Sequence, residues 1–162
     1  MFFSVNEFRH LIVRETLREL GDWSAAAENL LLGTAAQESG LGLKLKAGRM
    51  AGIYHISPAA HRAVWDKYLI AHPDLASRVR GLAGQHSFIS NPHGELVTNL
   101  KYATAIAWLV YKRTGQSIPE NCAPEELARF WHRHFHARAT GKVEDFIQNF
   151  HQMVLPASSL AA

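Results

Sequence analysis

The sequence predicts an all-α, single-domain protein, and three observations carry that prediction. Apolar residues recur at spacings of three and four through almost every stretch of the chain. Glycine and proline punctuate the pattern at intervals that suit short helices. The length of 162 residues, 48% apolar and 19% charged, fits one globular domain with one core. No repeat, low-complexity tract or linker divides the chain, so one domain is expected over residues 1–155, with a frayed tail from Pro156 to Ala162.

Taken in order, Ser4 and Glu7 have the spacing of a capping box, and Val5, Phe8, Ile12 and Thr16 then share one face until Gly21. Ser24 caps a second helix that is rich in alanine and leucine and ends near Ser39, with Gly40 as the stop. Gly40, Gly42, Gly48 and Gly52 make residues 40–57 a loop with room for a short extended piece. Ser57-Pro58 opens a third helix whose buried side is Val64, Trp65, Tyr68 and Leu69. His72-Pro73-Asp74 begins a short helix to about Leu82, and Gly84 to Gly94 reads as a loop. Leu96, Leu100, Ala103, Ala107 and Val110 predict one long helix over 95–114, stopped by Gly115. Pro124 starts a helix carrying Leu127, Phe130, Trp131 and His134 that Gly141 ends. Val143, Phe146, Ile147, Phe150 and Val154 define the last one.

Composition narrows the function. No apolar run reaches the roughly 20 residues needed to cross a bilayer. Met1-Phe2-Phe3-Ser4 has neither a basic start nor a long apolar core, so no signal peptide is expected. Cys122 is the single cysteine and can form neither an internal disulfide nor a cysteine-based zinc site alone. A thiol-protease reading has no local support, because Asn121-Cys122-Ala123-Pro124 reads as a helix entry. The net charge of +3 favours anionic partners, but no dense Lys/Arg stripe marks a phosphate footprint, so nucleic acid is not the expected partner. Ten histidines make surface charge sensitive to pH between about 5 and 7.

Glu38 is the residue most suggestive of chemistry. It falls seven positions after Leu31 and three after Ala35, on the apolar side of its helix. A carboxyl group held there is partly desolvated, which favours the neutral acid that can protonate a glycosidic oxygen. The alternative is a glutamate that reaches solvent at a frayed helix end. Glu28, Asp66 and Glu95 read as solvated helix residues. His132, His134 and His136 invite a metal reading, but residues two apart on a helix point about 200° apart, so the three cannot share a face. No metal or other cofactor is expected. Trp65, Trp108 and Trp131 read as core, whereas Tyr54, in the loop, reads better as a cleft residue.

The residues around Glu38 carry a resemblance. Thr34-Ala35-Ala36-Gln37-Glu38-Ser39-Gly40, followed by Gly52-Ile53-Tyr54-His55-Ile56-Ser57-Pro58, resembles the lytic transglycosylase and goose-type lysozyme superfamily. There a helix ends in Glu-Ser, and a Gly-apolar-Met-Gln-apolar-x-Pro segment leads into the next helix. Asn99-Leu100-Lys101-Tyr102-Ala103 is similar to the family's later Asn-apolar segment. Trp131, Phe135-His136 and Gly141-Lys142 are similar to a stretch of small transglycosylase-like proteins of tailed bacteriophages. The likeness runs from Leu30 to Phe150.

The resemblance implies a lysozyme-like helical fold with a glycan cleft and an enzyme that cuts the MurNAc-GlcNAc strand of peptidoglycan. Glu38 then matches the catalytic acid/base and Ser39 the residue that orients it. Gly52, Ile53, Tyr54 and His55 match the wall of the cleft. A second carboxylate is not required, because the substrate's own acetamido group or a hydroxyl completes the displacement. His55 stands where the family has Gln, and Phe135-His136 where it has Tyr-Asn, both where substrate and acid are oriented. The implied partners are bacterial peptidoglycan and other virion or tail proteins. The implied location is a phage virion, or the host cytoplasm before release, with action at the cell wall. A weak or inactive virion protein that binds peptidoglycan on the same scaffold remains the second expectation.

Overall fold

A computed structural model of the chain describes residues 4–138 and 140–156. Met1, Phe2 and Phe3, and most of the tail expected to fray, lie outside the described residues. The described chain is all-α apart from one small hairpin. Helix α1 covers residues 5–19 and α2 covers Ala25–Ser39. Strands β1 (Lys46–Ala47) and β2 (Met50–Ala51) pair antiparallel, with Lys46 opposite Ala51 and Ala47 opposite Met50. Helix α3 covers residues 58–71, α4 Pro73–Leu82, α5 Gln85–Ser90, α6 Glu95–Thr98 and α7 Leu100–Lys112. Helix α8 is Pro124–His134, and α9 covers residues 143–156.

The starts of these helices follow their capping residues. The Ser4, Ser24 and Ser57 hydroxyls accept from the backbone N–H of Glu7, Ala27 and Ala60, and each satisfies a donor that the first helical turn leaves unpaired. Gly40 ends α2 in the left-handed conformation, at φ 61°.

Helix α2 is the centre of the molecule. It packs against α1, α7, α8 and α9, and most of its residues from Ala26 to Ser39 are buried. The expectation of one apolar side is therefore too narrow: a helix surrounded by others is buried all round. Its Gly33 is required, because a Cβ there would collide with the Phe146 ring of α9. Helix α7 is the second axis, packing against α1, α2, α3 and α4.

Four expectations need correction. The long helix over 95–114 is two helices, because Asn99 leaves the helical conformation at φ −119°, ψ 98° and caps α7 by accepting from the Tyr102 N–H. The span from Gly84 to Gly94 is not loop throughout, since it holds α5 and a short 3₁₀ turn, Pro92–Gly94. Helix α8 stops at His134 rather than near Gly141, so His136 lies in an irregular segment beyond it. The face argument for three histidines on one helix therefore does not reach His136. Finally, Glu28 and Glu95 are buried rather than solvated. Asp66 is exposed, as expected.

Glu28 is held by two guanidiniums. Arg9 donates at 2.8 Å and Arg14 at 2.7 Å, and the Trp23 indole adds a third donor at 3.2 Å. Burial alone would raise this carboxyl. The hydrogen bonds from Arg14, Arg9 and Trp23, with the Arg14 charge, outweigh it and leave Glu28 below its ordinary range. Glu95 instead accepts from the Gly84 N–H and the Asn99 amide, each at 3.1 Å, and so ties the turn before α5 to the start of α7.

Candidate active site

Glu38 is the penultimate residue of α2, and its side chain meets α8 and the segment that follows it. The Trp131 indole N–H donates to Glu38 Oε1 at 2.9 Å, and His136 Nε2 lies 2.9 Å from the same oxygen. Oε2 has one weak contact, the Thr140 hydroxyl at 3.5 Å. The Glu38 side chain is only 3% exposed and that of His136 only 10%. An indole N–H can only donate, so it takes one lone pair of the carboxyl group. The imidazole can donate or accept according to its protonation, and the two groups form an ion pair only when the ring is charged.

The chain beyond α8 meets this carboxyl group through His136 and Thr140. It approaches α2 closely at Gly141, where a Cβ would stand 2.6 Å from the Gln37 amide nitrogen and 3.6 Å from the Trp131 ring. Phe135 does not line an open cleft. It is buried, with its ring centroid 5.1 Å from Tyr111 and 4.8 Å from the His136 ring, and serves as a floor for the imidazole. Tyr111 donates to Thr34 at 2.7 Å, which in turn donates to the Leu30 carbonyl. Burial raises the Tyr111 hydroxyl well above its ordinary value, and the nearby Glu38 charge adds to this against the Thr34 hydrogen bond. It stays a neutral phenol.

Ser39 joins the helix end to the loop. Its hydroxyl lies 2.5 Å from the Ile53 carbonyl and 3.1 Å from that of Ala35, and it accepts from the Gly42 N–H at 2.9 Å. Gly52, Ile53, Tyr54 and His55 form a tight turn between Ala51 and Ile56, whose backbones exchange two 3.0 Å hydrogen bonds. Gly52 has φ 82°, and a Cβ on it would collide with the Leu96 carbonyl oxygen, so only glycine fits.

This turn faces inward, which corrects two expectations. Tyr54 is fully buried, not a cleft residue, and its hydroxyl reaches Thr104 of α7 at 3.0 Å. His55 is also buried, at a left-handed φ of 46°, and its Nε2 donates to the Lys44 carbonyl at 2.6 Å. An exposed imidazole at this position is excluded.

The structure therefore brings Glu38 and His136 into contact, and couples Ser39 to Ile53. It leaves Gly52, Tyr54, His55 and Phe135 as the packed frame behind them. Sequence reasoning missed Trp131 as a partner of Glu38. A buried indole N–H needs an acceptor, and that was the available signal.

Beside the turn, recesses of about 370 and 310 Å³ share Pro58 and His93. The first is bordered by Lys46, Arg49 and Ala51, the second by Arg62, Trp65 and Phe88. Here Tyr102 lies 2.8 Å from His61 Nε2 and accepts from Trp65 at 2.9 Å. His61 Nδ1 meets His93 Nδ1 at 3.3 Å, and His93 Nε2 meets the Arg49 carbonyl at 3.1 Å. Burial pushes His61 down to about 4, with the His93 and Arg62 charges adding, so its ring is neutral. Among the described residues, no three His, Cys, Asp or Glu side chains converge as a metal site. No protein-family model, curated protein or solved structure matches the chain.

Proposed function

We propose that this chain is a glycosidase of lytic transglycosylase or lysozyme type, acting on the MurNAc-GlcNAc strand of bacterial peptidoglycan, with Glu38 as its acid and then its base. The observation that carries this reading is the contact of a nearly buried carboxyl group with the His136 imidazole and the Trp131 indole. Glu28, by contrast, is neutralised by two guanidiniums, and Glu95 is bonded to amides that hold a turn. Only Glu38 of these three touches an imidazole, a ring that can either donate or accept a hydrogen bond. Ser39, the next residue, is bonded to the Ile53 carbonyl, within the segment that the sequence resemblance singles out.

In this reading protonated Glu38 gives its proton to the glycosidic oxygen, and the bonding electron pair leaves with the departing sugar. The carboxylate then takes a proton from the hydroxyl that completes the displacement, whether of water or of the substrate itself. His136 and Trp131 position the carboxyl group. Because Oε2 faces Thr140, that residue must move aside for the strand to reach it. The proposed place of action is the bacterial cell wall, reached from a phage virion or from the host interior.

A second reading, a peptidoglycan-binding protein without turnover, is favoured by the burial of Glu38 among Trp131, His136 and Thr140. Digestion of purified peptidoglycan separates the two. The wild type should release soluble fragments, and Glu38→Gln should release none while melting normally. Unchanged digestion by folded Glu38→Gln removes Glu38 from the chemistry. A wild type that binds the wall but never cuts it establishes the second reading.

A further inference from the structure

A loop next to Glu38 exposes apolar and basic residues in alternation. Leu43 is 72% exposed and Leu45 39% exposed, and Lys44, Lys46 and Arg49 are exposed beside them. Residues 39–65 contain no Asp or Glu. Among the described residues, none of these three cations is in an ion pair.

The loop is also pinned. The Lys44 N–H donates to the Ser39 carbonyl at 3.2 Å, the Gly52 N–H to the Leu45 carbonyl at 2.8 Å, and His55 to the Lys44 carbonyl at 2.6 Å. Its outward leucines are thus held in place by backbone bonds. An apolar recess of about 300 Å³, bordered by Val5, Leu41, Leu43 and Met153, adjoins the tip.

We propose that residues 43–49 are a docking surface for an anionic lipid bilayer, with Leu43 and Leu45 entering the interface and Lys44, Lys46 and Arg49 meeting the headgroups. Charge complementarity selects an anionic partner, and the two exposed leucines select one with an apolar layer. A polyanion such as a nucleic acid would use the cations but leave the leucines in water. The mode is adsorption to the surface, and no described helix is long and apolar enough to cross a membrane. This inference stands apart from the glycosidase reading, since it needs nothing of Glu38.

The test is co-sedimentation of the full chain with phosphatidylcholine vesicles and with vesicles rich in phosphatidylglycerol. Binding is expected to the anionic vesicles alone and to weaken with added salt. Each lysine near the surface strengthens partition about fivefold, so Lys44→Ser with Lys46→Ser should lower it roughly thirty-fold. Leu43→Ser with Leu45→Ser should also release the protein, and circular dichroism checks that both variants fold. Removal of the same charge from exposed Arg113 and Arg133 should matter much less. The proposal is overturned if the wild type ignores anionic vesicles. It is equally overturned if the leucine variant binds as well as the wild type, which would mark a polyanion site, or if the arginine control loses as much as the lysine variant.

Discussion

Acidification will weaken this fold through His61 before it reaches the carboxylates. The His61 imidazole is buried against Tyr102 and His93, and its folded value is about 4 against an ordinary 6.5. The unfolded chain therefore binds the proton that the folded chain refuses. Stability from this group is complete above 6.5 and is lost as the pH falls toward 4. At about 1.4 kcal/mol per pH unit the whole window is worth about 3 kcal/mol, of which about 2 is gone by about pH 5. That is a large share of the roughly 5–15 kcal/mol that holds a domain. The perturbation is His61→Gln, whose amide can still meet the Tyr102 hydroxyl but does not titrate. Urea unfolding followed by tryptophan fluorescence, from about pH 8 to about pH 5, should show the wild type losing about 2 kcal/mol more than the variant. The eight histidines other than His61 and its neighbour His93 are common to both proteins and cancel in the difference. If the two stability curves run parallel, His61 is not held neutral by the fold, and the Trp65–Tyr102–His61–His93 chain is misassigned.

Glu28→Gln keeps the side-chain shape but removes the buried carboxylate charge that Arg9 and Arg14 both contact, and should cost about 3–5 kcal/mol in denaturant unfolding at neutral pH. The Glu28 carboxyl is held below its ordinary 4.5, so its stabilisation is present above that pH and lost only below it, clear of most of the His61 window. Gly52→Ala must relieve both a positive φ and a collision with the Leu96 carbonyl, so it should lower the melting temperature by several degrees or prevent folding. A normal melt would show that the turn does not approach α6. Trp131→Phe removes the donor to Glu38 Oε1 while keeping an aromatic ring in the core, so activity should fall more steeply than stability when digestion and melting are compared.

Local signals made most helices legible. Ser4, Ser24, Ser57 and Pro58 mark starts through bonds that span three residues, and Gly40 marks a stop. What escaped depends on partners far away in the chain. Glu28 reads as solvated until Arg9 and Arg14, on another helix, fold against it. Tyr54 reads as a loop tyrosine until Thr104, fifty residues later, takes its hydroxyl. Asn99 was hidden because apolar spacing continues from Leu96 to Leu100 across the break. At the candidate site, Glu38 and Ser39 stand out in the sequence, whereas the Glu38–His136 contact depends on α8 ending at His134, before His136.

The central claim, that Glu38 cuts a glycan strand, is tested most directly by mass spectrometry of purified peptidoglycan incubated with the wild type and with Glu38→Gln. The account predicts new disaccharide-peptide fragments from the wild type, either hydrated or lighter by one water, and none from the variant. Identical fragments from both proteins, or none from either on several cell walls, would contradict it.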